Sequence, residues 1–468
     1  MNQPKSAACL CIISHPTKAE FMVIKHTDRW SPPIVMIPAD EPIPNLAKYV
    51  TDGIFREYGL RTIALRQIIS TATYHCIELE MIAEKGTKNL RAFWVGSKEY
   101  KKFRSSGPGQ IDPLAQWLKE KKKRRVPGLR PTWARSGFFL KARNWIDFNL
   151  ERLNVQTTGS VEQYDAFKTT SYTLRVPTSG GWVYFKAGPD DASPPEAQLT
   201  LALSHKWPDF VPQPLCVDPK KNWMLVRDYR KSVETRVEHN DYPEAVRVFA
   251  QMQLDSLDSM AEWQKLNGPV LELEQLSEFA GNLGGLPAAL REGGGIALSA
   301  GDIEELAQSG TQMQGICKKL QEYSIPNMLV HPDLWSANMI KSGTDYSFIG
   351  WSGTVFAHPF FSILKLISFQ RKEHDEPASA TKIDSDDGQL SDLVLDSYLE
   401  SFTSFESKER LLEAMSLLRQ LQNLWNLYQW NQVIAREEHE SVAYQAAARQ
   451  LQKSARAIIG QARQVTDS

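Results

Sequence analysis

The chain has 468 residues, of which 42% are hydrophobic and 23% are charged, a composition typical of folded globular proteins. One hydrophobic core does not serve a chain of this length, so we expect two or three domains. Lysines and arginines number 54 against 55 acidic residues. The overall charge therefore gives no reason to expect nucleic acid or an anionic membrane as a partner.

Five scattered cysteines fit reduced thiols better than a disulfide framework. The N-terminus lacks the apolar core of a signal peptide, and no stretch reaches the length of a membrane-spanning helix. We therefore expect a cytoplasmic protein.

Short apolar strands dominate residues 1–118. The hydrophobic pattern predicts one long helix at about 45–58, closed by Gly59. Cys9 and Cys11 lie two residues apart and therefore on one face of the first strand, where we expect core cysteines. Strands are predicted at 8–14, 21–25, 63–71, 77–82 and 90–95. This pattern indicates a small α/β domain.

The end of that helix, Thr51-Asp-Gly-Ile-Phe-Arg-Glu-Tyr-Gly-Leu60, resembles the end of a Nudix box. Nudix hydrolases use this helix to mount glutamates for a magnesium-bound diphosphate. Where that family has Arg, Glu, Glu and Glu, this chain has Asp52, Gly53, Arg56 and Glu57. Only Glu57 matches, and a hard cation needs several oxygen ligands. The resemblance implies a degenerate Nudix-like domain without hydrolase chemistry; an unrelated α/β domain is the alternative.

A basic run, Lys119-Glu-Lys-Lys-Lys-Arg-Arg125, follows this domain. Such a run could bind polyanions or act as a nuclear import signal, but a solvated linker over 119–135 is the favoured interpretation. A helix at about 136–153 then leads into the next domain.

Residues 166–187 read as strand, turn and strand, and the second strand ends at Lys186. Glu196 opens a helical pattern after a proline pair. A lysine at this place in a kinase neutralises phosphate charge, and a carboxylate holds its flexible stem. A surface lysine and an ordinary helix-dipole glutamate are the alternative. The strand at 223–229 suits a segment that leads to a kinase hinge, and a buried edge strand would look the same.

The most informative segment is His331 to Ile340, His-Pro-Asp-Leu-Trp-Ser-Ala-Asn-Met-Ile, behind an apolar run. Asp333 and Asn338 lie five positions apart. This spacing lets one carboxylate accept a hydroxyl proton while a nearby amide oxygen ligates a nucleotide-bound metal, as in a kinase catalytic loop.

Several motifs of this chain together resemble the aminoglycoside phosphotransferase and choline kinase family. They are Lys186, Glu196, the segment 331–338, Ile349-Gly-Trp351 and His358-Pro359. The resemblance covers about residue 131 to the C-terminus. It implies an α+β, bilobal protein-kinase-like fold that transfers the γ-phosphoryl group of ATP to a hydroxyl of a small molecule. The N-lobe would be 136–230 and the helical C-lobe 231–468.

By this resemblance, Asp333 is the catalytic base and Asn338 a ligand of Mg²⁺. Lys186 and Glu196 hold the phosphates of ATP, and His331 supports the loop.

The chain also departs from that family. Pro332 replaces a glycine, and three positions at which relatives often carry acids are Gly350, Gly353 and Ser362. Because protein carboxylates usually hold Mg²⁺, a weak or altered metal site is expected. Asp345 could substitute, although a surface role in a turn is favoured.

The remainder is mostly helical. We expect a mobile glycine-rich connection at 281–295 and a flexible acidic loop at 373–389. An aromatic stripe at Trp425, Tyr428 and Trp430 could line a pocket for an amine, but core packing is favoured. Helices are predicted at 241–263, 299–323, 392–402, 408–434 and 442–462.

Three functions remain open at this point. The first is ATP-dependent phosphoryl transfer to a small-molecule hydroxyl with a depleted metal site. The second is a pseudokinase that binds nucleotide or acts as a regulatory protein, and the third is another ATP-using transfer such as adenylylation. The expected partners are a nucleotide and a small-molecule acceptor, with neither nucleic acid nor membrane.

Overall fold

The computed structural model of the chain describes residues 6–25, 30–38, 43–71, 74–83, 91–103, 112–123, 129–165, 167, 170–229, 237–286, 288–291, 296–372, 387–437 and 441–466. The chain forms two compact units. Unit 1 is Met1–Asp190, Trp223–Arg227 and Arg436–Ala446, and unit 2 is Asp191–Asn222, Asp228–Ala435 and Ala447–Ser468. Each unit contains helices and strands, which confirms the α+β class.

The strands are β1 (Ser6–Ser14), β2 (Phe21–Lys25), β3 (Trp30–Ser31), β4 (Ile34–Pro38), β5 (Arg61–Ser70), β6 (Tyr74–Ala83), β7 (Ala92–Val95), β8 (Glu162–Asp165), β9 (Tyr172–Thr178), β10 (Gly181–Ala187), β11 (Cys216–Asp218), β12 (Trp223–Arg227), β13 (Met328–Val330), β14 (Met339–Ser342), β15 (Asp345–Phe348) and β16 (Val355–Ala357).

The α-helices are α1 (Ile43–Tyr58), α2 (Pro113–Lys123), α3 (Phe138–Arg152), α4 (Glu196–Lys206), α5 (Tyr242–Asp255), α6 (Met260–Lys265), α7 (Leu273–Gly281), α8 (Ala300–Leu320), α9 (Phe361–Lys372), α10 (Asp387–Glu400), α11 (Lys408–Gln420), α12 (Gln422–Ile434) and α13 (Val442–Thr466). Within the described part of the chain, none of the helices has the length and apolar character needed to cross a bilayer.

The first sheet of unit 1 is built around β1. Its order is β3-β2-β1-β6-β5, with β4 paired to β1 and β7 paired to β2. β1 runs parallel to β6 and antiparallel to β2 and β4. Nearly every residue of β1 is buried, as is usual for a central strand that is covered on both faces.

Alternate residues of β1 serve two separate cores, because successive side chains of a strand point to opposite faces. Cys9, Cys11 and Ile13 pack in a core with α1, whereas Leu10 and Ile12 pack in a core with α2. The prediction that Cys9 and Cys11 share one strand face is confirmed, and both are buried free thiols. The domain is therefore an α/β domain with helices on both faces of its sheet.

Strand β6 carries a buried carboxylate, Glu78, which is 1% exposed. Arg66 Nε lies 2.7 Å from Glu78 Oε2, and Lys121 Nζ lies 3.4 Å from Oε1. Burial by itself raises the pKa of Glu78, but these two cations and hydrogen bonds from Ser136 and Trp117 together outweigh burial and lower the pKa to about 2. Since Lys121 belongs to α2, this charge network attaches α2 to the sheet.

The next inward residue of β6, Glu80, binds the start of α3. Its Oε2 accepts a hydrogen bond from Gly137 N at 2.9 Å, and its Oε1 accepts one from Leu140 N at 3.1 Å. The first N–H groups of a helix have no partner within the helix, so a carboxylate satisfies them well. Burial raises the pKa of Glu80, and the backbone donors oppose this shift.

Strands β8, β9, β10 and β12 lie side by side in the second sheet of unit 1. β9 and β10 form the predicted hairpin, and β12 pairs with β10 on its other side. Phe185 of β10 and Trp223 of β12 contact the rings of Phe138 and Trp145 on α3. Lys186 follows Phe185 and therefore lies on the opposite face of β10.

Unit 2 is mostly helical and contains two short antiparallel strand pairs, β13 with β16 and β14 with β15. Helix α7 packs on α8, and α10 packs on α5 and α9. Every residue of β13 is buried. The loop that joins β13 to β14 therefore begins at a buried strand.

Some boundaries differ from the predictions. α2 continues to Lys123, so the predicted linker 119–135 begins inside a helix, and residues 124–128 lie outside the described residues. The first of the two strands predicted within residues 166–187 begins at Tyr172. The helix predicted at 408–434 is two helices that meet at Leu421, and no glycine or proline marks the break.

Two predicted loops fall partly outside the described residues. In the predicted acidic loop, residues 373–386 are not among them, and residues 387–389 begin α10. In the glycine-rich segment, Leu283–Gly285 and Ala288–Leu290 form short 3-10 turns, and residues 287 and 292–295 lie outside the description. The domain boundaries proposed from the sequence stay predictions.

Candidate functional site

The loop from His331 to Ile340 lies between two short strands of unit 2. The buried strand β13 ends at Val330, and His331 follows directly. Ser336–Asn338 form one 3-10 turn that leads into β14. Ile349 N donates a hydrogen bond to Asn338 O at 3.0 Å. The end of the β14/β15 hairpin is thereby tied back to the loop.

His331 supports this loop from inside the core. Its side chain is fully buried, and its ring packs on Trp351 with 4.7 Å between centroids. Nδ1 accepts a hydrogen bond from Asp333 N at 3.2 Å, so Nε2 carries the proton and donates to Ile349 O at 3.0 Å. Burial lowers the pKa of His331, and the hydrogen bond to Ile349 and the charges of Asp333 and Glu196 oppose the shift. A neutral ring that makes two hydrogen bonds agrees with the supporting role predicted for His331.

Asp333 and Asn338 are in direct contact. Asn338 Nδ2 donates hydrogen bonds to Asp333 O at 2.8 Å and to Asp333 Oδ2 at 2.9 Å. Because both acceptors are oxygens, the amide must present its nitrogen to Asp333, which turns Asn338 Oδ1 away. The side chain of Asp333 is 45% exposed. The structure therefore brings together the acid and the amide that the sequence singled out, with the acid open to solvent.

Gly350 stands where the sequence resemblance implies a metal carboxylate, and the Asn338 side chain lies beside it. Its φ is +84°, in the left-handed region that favours glycine. A Cβ built on Gly350 would lie 2.9 Å from Oδ1 and 3.1 Å from Cγ of Asn338. An aspartate here would strain the backbone and displace the Asn338 amide. The local backbone conformation therefore favours glycine at this position.

A lysine that sequence analysis missed completes the site. Lys365 of α9 forms an ion pair with Asp333 Oδ1, and its Nζ lies 5.1 Å from the ring centroid of Trp335. With Asn338 on Oδ2, each carboxylate oxygen of Asp333 has a donor. Lys365 follows Ser362 by one helical turn, so the periodicity of α9 is the signal that could have found it.

Ser362, a position at which the sequence resemblance implies that an acid is common, is a buried structural hydroxyl. Its Oγ accepts hydrogen bonds from His331 N at 3.1 Å and from Gln253 Nε2 at 3.2 Å. Gln253 is fully buried, donates to Leu329 O at 2.8 Å and accepts from Tyr398 OH at 2.6 Å. A carboxylate would introduce a buried charge into this neutral network. Sequence analysis missed Gln253 because a lone glutamine in a helix carries no signal.

The residues around Asp333 do not fit a magnesium ion. Mg²⁺ needs near-octahedral oxygen ligands that include protein carboxylates. Gly350 offers no side chain, and both oxygens of Asp333 already have donors. Asp345 lies at the exposed turn end of the hairpin, opposite Ser342. In the described part of the chain no group of three or more acidic, histidine or cysteine residues could hold a metal ion.

The residues predicted to hold the nucleotide phosphates belong to different units. Lys186 in unit 1 is half-buried on β10, between Thr173 of β9 and Met224 of β12. Glu196 in unit 2 is the first residue of α4 and is 3% exposed. The role of each in nucleotide binding stays a prediction.

The Nudix-like segment on α1 lacks room for one of its glutamates. A Cβ on Gly53 would lie 2.3 Å from Val35 Cγ1, so a longer side chain could not stand there unless Val35 moved. Glu57, the one matching acid, is exposed. The Nudix-like identity of this domain stays a prediction.

The aromatic stripe on α12 is mainly core. Trp425 is 3% exposed and stacks on Phe361 with 4.3 Å between ring centroids. Tyr428 contacts Trp425 and Phe279 at centroid distances of 6.3 Å and 5.3 Å. These contacts support the core-packing interpretation over an amine pocket.

No family model matches the chain, and a comparison with curated proteins finds no match. Solved structures are similar to it at low sequence identity. An ethanolamine kinase from Plasmodium vivax is 12% identical, with 74% of this chain and 96% of that chain covered and a TM-score of 0.45. A choline kinase from Cryptosporidium parvum is also 12% identical, with 70% and 95% covered and a TM-score of 0.43. A spectinomycin phosphotransferase in complex with ADP and spectinomycin is 9% identical, with 68% and 98% covered and a TM-score of 0.39.

Proposed function

We propose that this protein is a nucleotide-binding pseudokinase, with the bilobal protein-kinase-like fold that its sequence resemblance implies and without magnesium-dependent phosphoryl transfer. The observation that carries the proposal is the backbone at Gly350. Its φ of +84° and its approach to Asn338 mean that an aspartate there would strain the backbone and displace the Asn338 amide.

Phosphoryl transfer depends on the metal carboxylate that is absent at Gly350. The reaction needs little covalent chemistry from the protein, so its rate comes from positioning and from neutralising the charge of the phosphates. A site without a metal carboxylate loses much of that neutralisation. Asp333, the predicted base, accepts hydrogen bonds on both oxygens. A hydroxyl substrate would have to displace Lys365 or Asn338 to transfer its proton.

Retention of nucleotide is proposed for a different reason. Lys186 lies inside the second sheet of unit 1, where pairing of β10 on both sides keeps its backbone rigid. A lysine so held loses less entropy on binding a phosphate than one on a mobile loop. Under this proposal Lys186 binds the α- and β-phosphates, as the resemblance implies.

Nucleotide affinity tests the binding half of the proposal. Isothermal titration with ATP should give a 1:1 complex, and Lys186→Met should weaken binding by about tenfold or more. Lys141→Met is a matched control, because Lys141 is an exposed residue of α3 in the same unit, and its loss should leave the affinity unchanged. Absence of ATP binding to the unsubstituted protein would overturn this half.

Turnover tests the other half. ADP release with a panel of aminoglycoside, macrolide and amino-alcohol acceptors should stay at background, and Asp333→Asn should change nothing. ADP release that needs Mg²⁺ and disappears in Asp333→Asn would overturn the pseudokinase assignment.

That second result would establish the alternative candidate, ATP-dependent phosphoryl transfer to a small-molecule hydroxyl. One observation favours this alternative: the Asp333 side chain is 45% exposed and so can meet an acceptor. Its contact with Asn338 also preserves the predicted pairing of acid and amide.

A further inference from the structure

Lys365 places a positive charge at the carboxylate beside which a kinase would hold its divalent cation. Its ammonium group pairs with Asp333 Oδ1 and lies 5.1 Å from the ring centroid of Trp335. A cation over an indole ring is attracted by the negative face of that ring. Two partners of different chemistry therefore define the position of the ammonium group.

The helix that carries Lys365 is itself fixed to the loop. Ser362, one turn earlier on α9, accepts a hydrogen bond from His331 N at 3.1 Å. Gln253 Nε2 donates to the same hydroxyl at 3.2 Å. Because these contacts are buried, they set the register between α9 and the loop. The ion pair with Asp333 follows from that register.

A divalent cation would compete with this lysine. The sequence resemblance implies that such a cation binds at Asn338, which donates a hydrogen bond to Asp333 Oδ2, so the cation would meet the ammonium group on Asp333 Oδ1 as a nearby like charge. Asp333 Oδ2 is occupied by the amide of Asn338. An ammonium group also has donors only, so it can bind phosphate oxygens directly, whereas it can never ligate a metal. The side chains of Lys365 and Asp333 are 43% and 45% exposed, which leaves the pair open to an anionic ligand.

We propose that the ammonium group of Lys365, beside Asp333, replaces the charge of a divalent cation, so that this protein binds the phosphates of a nucleotide without a metal ion. The proposal rests on the nucleotide binding proposed above and adds the binding residue and the metal independence. One fixed positive charge on the protein substitutes for part of the charge that a bound metal brings.

The test compares ATP affinity by isothermal titration in excess EDTA and in millimolar Mg²⁺. For the unsubstituted protein, the two dissociation constants should agree to within about twofold. Lys365→Met should weaken ATP binding in EDTA by about tenfold or more, the cost of one hydrogen bond to a charged phosphate. Lys365→Arg should retain the affinity, because the charge and the donors remain.

Two further variants isolate the effect. Lys341→Met is the matched control, because Lys341 Nζ pairs at 2.6 Å with a different carboxylate of the same unit, Asp241 Oδ1; the ATP affinity of this variant should not change. Asp333→Asn frees the ammonium group from its carboxylate and should bind ATP in EDTA at least as tightly as the unsubstituted protein. This variant keeps the proposal testable if Lys365→Met does not fold.

Three results would overturn the proposal. If ATP binding to the unsubstituted protein is ten or more times weaker in EDTA, by about 1.4 kcal/mol or more, nucleotide binding stands and metal independence is wrong. If Lys365→Met binds ATP normally in EDTA, or Asp333→Asn binds it less tightly, Lys365 does not serve as the cation. If ATP binds in neither buffer, the proposed function and this inference are both wrong.

Discussion

Two carboxylates of this protein, Glu78 in unit 1 and Asp333 in unit 2, have cationic partners but differ in burial. Glu78 is 1% exposed, and two cations and a serine hydroxyl surround it. The Asp333 side chain is 45% exposed, with one lysine and one amide as partners. The difference indicates which charges the fold depends on and which are available to a ligand.

Burial decides the energetic consequence. A buried charge that loses its partner keeps its full desolvation cost, whereas an exposed charge that loses its partner is hydrated by water. The Glu78 network therefore stabilises unit 1 and cannot readily be exchanged. The pair of Asp333 and Lys365 costs little to open, which is what a site for an anionic ligand requires.

The largest effect should follow removal of the buried carboxylate. Glu78→Ala leaves Arg66 and Lys121 without their buried partner and should lower the free energy of unfolding by about 3–5 kcal/mol. Urea denaturation measures the change. As control, Glu162→Ala breaks an exposed pair with Arg175 and should cost less than about 1 kcal/mol. Equal costs for the two variants would break the comparison.

The same carboxylate predicts a loss of stability in acid. The pKa of Glu78 is lowered to about 2 from an ordinary value of 4.5. Its contribution is therefore fully present above pH 4.5 and is lost as the pH falls towards 2, by about 3 kcal/mol in total.

Denaturation curves between pH 2 and pH 4.5 measure how steeply the free energy of unfolding falls with pH. Glu78→Gln should lose most of the contribution that Glu78 makes to this slope. An unchanged slope in Glu78→Gln would show that other carboxyl groups carry the acid sensitivity.

A smaller effect on stability is expected at Gly350, where the sequence resemblance implies a carboxylate. Gly350→Asp combines a left-handed φ with a close approach to Asn338, and should destabilise the protein by about 1–3 kcal/mol without creating a magnesium site. Thermal unfolding with and without Mg²⁺ measures both effects.

Gly343→Asp separates the cost of the left-handed φ from the cost of the contact with Asn338. Gly343 also has a positive φ, +64°, but a Cβ there meets nothing within 4 Å. The excess cost at Gly350 over Gly343 is therefore the cost of the contact with Asn338. Stabilisation of Gly350→Asp by Mg²⁺ would contradict the steric argument.

The smallest change in stability should come from the exposed pair. Lys365→Met should alter the free energy of unfolding by less than about 1 kcal/mol, because water replaces the lysine at Asp333. Urea denaturation provides the measurement. A cost as large as that of Glu78→Ala would mean that the exposed pair also holds the fold, and the distinction between the two carboxylates would fail.

Much of the local structure followed from patterning alone. The apolar alternation predicted β2 at its exact bounds, placed Cys9 and Cys11 on one face, and located the hairpin of β9 and β10. The break at Leu421 was not predictable, because neither glycine nor proline marks it. The buried partners of Glu78 were not predictable either, since Arg66 and Lys121 come from separate elements.

The sequence by itself determined that Asp333 and Asn338 lie together, because a short loop keeps residues five positions apart within reach of each other. That a metal carboxylate is missing at Gly350 stays a prediction from the sequence resemblance. Only the tertiary structure decided that the Asn338 amide fills the space beside Gly350 and that Lys365 reaches Asp333. These contacts join segments that are distant in the chain, and their geometry depends on how α9 packs against the loop, which no local pattern encodes.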